Sequence, residues 1–424
     1  MVFFMRFVLL ILSVAALFLA SCQSEDSTET RVRVAINAGP EGDGVRTLVE
    51  QYSETKPELD IEVIEQPYTG LRELLLTSLN DQSEFDIVML DDPWFPELAP
   101  HLRTLEDIPE SLIADLVPSG YWLSRFPYKT GELRALPFVG NTQLLFYRRD
   151  LLSSLGGRAA PPASWPEVAS LAGEIASAEG PSAESVYGYA IRGRAGAPLV
   201  TDFLPIYWSL GGSLVNDRGT PTASALDPKL YARALTIYKA LLDASPPDAA
   251  NFDWDEMTGA FTSGKAVMQL NWPAAIPLIE DALVAQGLTD AWGVSLPPGG
   301  GDGHGTSMIG NWLVAIPKDS PNADAAQSLL VYLLENQALV ASAGAPPTRI
   351  SVFEELGSNP KTAYFSTVLA ALTDSTPRPR TPRWSEIETA VSRSVTRFLA
   401  GNSTLDQAVD SVSAELNGIF STAK

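Results

Sequence analysis

The chain has 424 residues, 45% of them hydrophobic and 9% aromatic, and a formal charge of −22 at pH 7. This is the composition of a globular protein rather than a disordered one, and its length suits two domains. So strong an acidic excess argues against nucleic acid or an anionic membrane surface as the main partner. The only cysteine is Cys22, so no disulfide forms within the chain and stability must come from buried apolar area. Arg6 precedes an apolar run from Phe7 to Leu19, followed by Ala20-Ser21-Cys22. The run is short for a membrane span and ends in small residues, as a cleavable export signal does. A cysteine directly after Ala20-Ser21 makes this a lipoprotein signal, with Cys22 expected to carry a diacylglyceryl group after cleavage before it. The alternative is an ordinary signal with a stray cysteine. The expected place of the protein is therefore extracytoplasmic, anchored to the cell membrane through Cys22, with Gln23 to Thr30 as a polar leash.

Arg31 to Ile36 alternates polar and apolar residues and breaks at Asn37-Ala38-Gly39-Pro40, which predicts a strand and then a loop. Val45, Leu48, Val49 and Tyr52 recur at helical spacing. Leu59 to Ile64 predicts a second strand, Leu71 to Leu79 a second helix, and Phe85 to Leu90 a buried third strand. That alternation is the pattern of a parallel sheet covered by helices, whose ligands lie beyond the carboxyl ends of the strands. Gly39 to Asp43 and Asp91-Asp92-Pro93-Trp94 fall at those ends. Leu136 to Tyr147 predicts another strand, interrupted by Gly140, and Pro161 to Leu296 a mostly helical stretch. Pro297 to Gly305 predicts a flexible surface loop. It lacks the strand, the GK[ST] ending and the helix that a phosphate-cradling loop needs. Asn311 to Pro317 predicts a strand, Ser320-Pro321 a cap on a helix through Ala326 to Leu333, and the chain ends in two amphipathic helices broken at Gly401-Asn402.

Catalytic and metal signatures are missing from this pattern. The two histidines, His101 and His304, sit in no HExxH arrangement, and neither CxxC nor GxSxG occurs. A glycosidase needs two carboxylates at a controlled separation, and the adjacent Asp91 and Asp92 give no support for such a pair. The expectation is a protein that is not an enzyme and needs neither cofactor nor metal.

Several blocks, in their order, carry a family resemblance: FDIVMLDDPWFPELAPHLRTLEDI, LPFVGNTQLLFYRRDLL, PPASWPEVASLA, WSLGGSLVND, AFTSGKAVMQLNWP, GNWLVAIPKDSPNADAAQSLLVYLLE and RPRTPRWSEI. From Arg31 to Phe420 the chain resembles the extracellular solute-binding proteins of carbohydrate ABC importers, the maltose-binding-protein-like group. The resemblance implies a periplasmic-binding-protein-like α/β fold, with two lobes joined by hinge segments and a ligand cleft between them. It places the signal at 1–21, the tether at 22–30, the first lobe at 31–139 and 311–357, and the second at 140–310 and 358–424. Hinges are expected near Leu136–Asn141, Ile309–Asn311 and Gly357. The implied partners are a small carbohydrate and the transmembrane subunits of an ABC permease, with the chain acting as a monomer. Asn271-Trp272-Pro273 resembles members that bind trehalose, maltose or related α-glucosides. An enzyme on this scaffold, a sensor and a binder of phosphorylated polyols are the alternatives.

A sugar offers apolar C–H faces and hydroxyl rims, so its site needs aromatic rings together with carboxylates, amides or arginine. Trp272, Trp312, Trp94 and Trp208 are the candidate platforms, with Gly310 beside Trp312 at a hinge. Asp91 and Asp92 are candidate acceptors, and strand alternation predicts that only one of them faces the cleft. Glu41 in the first loop and Asn141 in the hinge block are further candidates. Arg378 matches the family's RP motif, where a planar fork suits vicinal hydroxyls, with Arg380 and Arg383 as alternatives.

Overall fold

The computed structural model describes residues 30–79, 83–179, 185–301 and 305–421. The expected signal, Cys22 and all of the tether except Thr30 lie outside the described residues. The first sheet runs in the order β2-β1-β3-β11-β6. It is built from β1 (Thr30–Asn37), β2 (Leu59–Gln66), β3 (Ile87–Asp91), β6 (Leu136–Val139) and β11 (Trp312–Ala315). β1 pairs in parallel with β2 and β3, as the strand–helix alternation requires, whereas β11 is antiparallel to both β3 and β6. A short ribbon of β4 (Arg125–Phe126) and β5 (Glu132–Leu133) projects from this lobe. The second sheet, β10-β7-β9-β8, comprises β7 (Leu144–Arg148), β8 (Tyr187–Ala190), β9 (Ala266–Asn271) and β10 (Trp292–Ser295).

Helices cover both sheets. Val45, Leu48, Val49 and Tyr52 on the helix Pro40–Thr55 all face the first core, together with Leu329, Leu330 and Leu333 of Ala323–Glu335. Burying a side chain of this kind stabilises by about 1.5–3 kcal/mol. The second core holds β7 and β9 against the helices Ala197–Ser209, Pro228–Asp243, Trp384–Leu399 and Leu405–Ser421. A third cluster belongs to neither lobe alone. It joins Leu144 and Phe146 of β7 and Ile276 and Ile279 to Val117, Leu123, Phe353, Phe365 and Leu372.

Three chain segments pass side by side between the sheets. Gln143 N–H donates to Met308 O at 3.0 Å and Gly310 N–H to Asn141 O at 2.9 Å, while Thr376 N–H donates to Ser307 O at 2.8 Å and Ile309 N–H to Thr376 O at 3.1 Å. Gly357, expected at a hinge, ends the helix Ile350–Gly357 and lies against Ser366.

Four sequence expectations change. The single strand from Leu136 to Tyr147 is two strands in different sheets, because the chain crosses between the lobes after Gly140. The stretch read as mostly helical contains β8, β9 and β10. In β9 all six residues are buried, so neither face carries the polar alternation that marks a strand. Pro297 to Gly300 is buried rather than a free surface loop: Gly299 bonds to Ala163 and Trp165 backbone, and Gly300 O accepts from Arg233 at 3.0 Å. Residues 302–304 of that loop lie outside the described residues. Ser320 does not cap the next helix, which begins at Ala323. Its hydroxyl donates instead to the buried Asp86 at 2.7 Å.

Candidate functional site

β1 and β3 are parallel neighbours, so their carboxyl ends lie side by side at one edge of the first sheet, and the predicted residues there converge. Asp91 ends β3, and the chain turns at once into a 3-10 helix, Asp92–Trp94. That turn overrides the strand alternation, and both carboxylates reach the same guanidinium. Arg378 Nη2 donates to Asp91 Oδ1 at 3.2 Å and to Asp92 Oδ2 at 2.8 Å. Asp92 also accepts from Arg380 Nη1, at 3.0 Å on Oδ1 and 2.7 Å on its backbone oxygen. Asp92 is 0% exposed and Arg378 3%. Burial pushes the Asp92 carboxyl up to about 6, yet two guanidiniums in contact keep it ionised at neutral pH. Burial alone would lower Arg378, but Asp91 and Asp92 outweigh it and hold the guanidinium more firmly protonated than usual.

Beside this cluster stands an aromatic wall. Tyr68, at the start of a helix beyond β2, donates its hydroxyl to Asp91 Oδ2 at 2.8 Å. Its ring centroid lies 4.7 Å from Trp94 and 5.9 Å from Trp312, which are themselves 5.7 Å apart. Trp94 and Trp312 are nearly buried, whereas Tyr68 keeps 37% of its surface accessible. Glu41, in the first turn of Pro40–Thr55, accepts from Asn141 Nδ2 at 2.9 Å and from Trp312. The side-chain oxygen of Asn141, Oδ1, is buried without a partner. Trp272 follows β9, and its ring rests on the backbone of Gly310, so close that a Cβ there would lie 2.5 Å from the ring. Glycine is what lets indole and crossing segment touch.

Both lobes add groups that the sequence reading did not single out. Glu388, on the helix Trp384–Leu399, shares the electrostatic field of Arg378, Asp91 and Arg72. Arg72 donates to Ser385 Oγ at 2.9 Å and to Glu97, tying the two lobes across the cleft. Tyr68 was missed too, although its place just past the carboxyl end of β2 is the signal that would have found it; Glu388 and Arg72 carry no local signal. Trp208 stands apart from the aromatic wall. It ends the helix Ala197–Ser209, and the Arg218 guanidinium lies 4.3 Å over its ring. Arg383 pairs with Glu386 and takes no part in the Asp91–Asp92 cluster.

Desolvation pushes both Glu41 and Glu388 up to about 7 from a normal 4.5. Burial does the same to Asp202 on the helix Ala197–Ser209, up to about 7, where Gln143 donates to it at 3.2 Å. A carboxyl whose folded pKa is raised binds protons more tightly folded than unfolded. Its contribution to stability is complete below the unfolded pKa and is lost as the pH rises through the folded one. The unliganded protein should therefore melt at a lower temperature at pH 8 than at pH 5, and Glu41→Gln with Glu388→Gln should flatten part of that slope. A melting temperature independent of pH over this window would remove these raised values.

Among the described residues, no helix is long and apolar enough to cross a membrane, and no group of three or more His, Cys, Asp or Glu could hold a metal ion. Residues 38–339 match the bacterial extracellular solute-binding protein family. A probable ABC transporter-binding protein of Deinococcus radiodurans is 25% identical over 342 residues, 79% of this chain and 80% of that protein. The mannitol-binding protein of Pseudomonas aeruginosa is 25% identical over 324 residues, 73% of this chain and 72% of its own length. Maltose-bound MalE3 of T. maritima superimposes with a TM-score of 0.80 at 25% identity, covering 92% of this chain and all of that one. A solute-binding protein of Agrobacterium radiobacter in complex with ribitol shares the fold, with a TM-score of 0.78 at 22% identity over 92% of this chain and 98% of that one. With two α/β lobes joined by crossing segments and a family match that spans most of its length, this chain belongs to the bacterial extracellular solute-binding proteins.

Proposed function

We propose that this protein captures a di- or oligosaccharide, an α-glucoside of the maltose or trehalose kind, in the cleft between its lobes and delivers it to an ABC permease. One observation carries the reading: the aromatic wall of Tyr68, Trp94 and Trp312 stands in contact with the Asp91–Arg378 pair. A pyranose needs that combination, a ring face to lie on and a charged acceptor and donor for its hydroxyls. Trp272, half-buried on Gly310, supplies a platform from the other lobe. Asp91 and Asp92 are both committed to Arg378, which suits fixed recognition and not the acid and nucleophile roles of a glycosidase. Closure then follows from contacts that only the closed, liganded state makes. The maltose complex of a 25% identical structure and the mannitol-binding relative support a sugar or polyol as the class of solute. Anchoring through Cys22, action as a monomer and the absence of catalysis belong to the same proposal.

Isothermal titration against a panel led by maltose and trehalose tests it, with saturable one-to-one binding as the expected result. Silence of a folded protein across neutral and charged saccharides would sink the sugar reading. Trp272→Ala is expected to weaken binding at least tenfold and to remove the ligand-induced change in tryptophan fluorescence. Unchanged affinity and signal would leave Trp272 a packing residue on Gly310.

A further inference from the structure

One cation at the join between the lobes has no anion among the described residues. Arg218 sits where three segments meet: the turn that carries it in the second lobe, the crossing segment at 377–380, and Tyr128 on the ribbon of the first lobe. Its backbone oxygen accepts from Arg380 N–H at 2.6 Å, and Gly219 beside it lies against the Tyr128 ring. Its guanidinium stacks 4.3 Å over Trp208 and makes one long hydrogen bond, Nη1 to Pro377 O at 3.5 Å. Among the described residues no carboxylate lies within ion-pair distance of it. The neighbouring Asp217 turns its carboxylate to the backbone N–H groups of Gly219 and Thr220. Burial without a counter-charge pushes the guanidinium down to about 10. By contrast, Arg378 and Arg380, on the crossing segment that bonds to the Arg218 backbone, each hold a buried carboxylate.

A second donor beside Arg218 is equally unspent. The indole Nε1 of Trp208, a residue 5% exposed, has no hydrogen-bond partner. A guanidinium with one long hydrogen bond, stacked on an indole whose N–H has no acceptor, is costly to desolvate unless something more accepts from the pair. A group with several acceptor oxygens and negative charge answers both, and the planar guanidinium fork matches it in two parallel bonds. Neutral hydroxyls answer the Asp91–Arg378 end of the cleft, but they leave the charge of Arg218 unmatched.

We infer that Arg218 and the Trp208 indole form an anion subsite at the end of the cleft, so that the bound saccharide carries a carboxylate or phosphate group. This rests on the solute-capture reading above and names the class of solute. Arg218 is the residue that sets the preference, and the acid group bonds to it while the sugar rings lie toward Tyr68 and Trp272.

Paired ligands test this on the full chain by calorimetric titration at low salt: maltobionate against maltose for the carboxylate, trehalose 6-phosphate against trehalose for the phosphate. The expected result is that at least one acidic member binds at least tenfold more tightly than its neutral partner. Arg218→Met should erase that difference and Arg218→Lys should keep part of it, while the preference in the unaltered protein falls with added salt. Which pair shows the effect tells carboxylate from phosphate. If in both pairs the neutral member binds as tightly as its acidic partner, or the preference survives in Arg218→Met, the anion subsite is overturned and solute capture stands. If no member of either pair binds the folded protein, the subsite and the saccharide reading fall together.

Discussion

Asp92→Ala is expected to destabilise the protein by about 3–5 kcal/mol, the cost of stripping one partner from a buried ion pair. Two guanidiniums depend on this one carboxylate. Arg380 would keep only backbone acceptors, Asp92 O and Leu123 O, and Arg378 would keep only the longer contact to Asp91. Because Arg378 and Arg380 lie on the last crossing segment, the loss also loosens the join between the lobes. Asp91→Ala is expected to behave differently. Arg378 retains Asp92, the fold survives, and the effect falls on ligand affinity, about tenfold or more for one buried charge-assisted hydrogen bond. Urea unfolding with ligand titration separates the two: a lower midpoint for Asp92→Ala, and weaker binding at near-normal stability for Asp91→Ala. Equal stability of both variants would show that Asp92 does not hold the crossing segment.

Gly140→Ala is expected to be the most damaging single methyl in the hinge. A Cβ at this position would lie 2.0 Å from Pro347 O, a backbone atom that cannot swing aside. Gly140 N–H also donates to Pro346 O at 2.7 Å, so the two segments are held at that approach. Overpacking of this sort costs about 1–3 kcal/mol, and more where backbone must move. The displacement shifts the first crossing segment against the other two, so affinity should fall together with stability. Gly173→Ala is the control. Nothing lies within 4 Å of its added methyl, which sits in a helix, and it should be neutral or slightly stabilising. Thermal melts and titrations of the pair check both expectations, and a Gly140→Ala protein with normal melting and binding would mean that the crossing has slack.

How much of this was legible beforehand depended on distance along the chain. β1, β3 and the terminal helices announce themselves by local periodicity, and their ends supplied Glu41, Asp91 and Trp94 as site residues. The positions of Asn141, Gly310, Trp312 and Arg378 came from resemblance to a family, since no local pattern says that segments near 140, 310 and 376 lie together. Pairings across nearly the whole chain stayed hidden. Asp92 and Arg380 are 288 residues apart, and nothing near either one names the other. β9 escaped because burial on both faces erases the alternation by which strands are recognised. The expectation that Asp91 and Asp92 diverge applied a strand rule one residue past the strand's end.

The position of β11 has a consequence for how the chain is made. It lies between β3 and β6 in the first sheet, yet it is Trp312–Ala315, synthesised long after β3 ends at Asp91 and β6 ends at Val139. Until it emerges, β3 and β6 each present an unpaired, apolar inner edge, the kind that recruits other strands and aggregates. A ribosome-bound chain ending before residue 312 is thus a sheet with a slot in it, open to holdase chaperones and to its own neighbours. The native slot closes only once Trp312–Ala315 has been made.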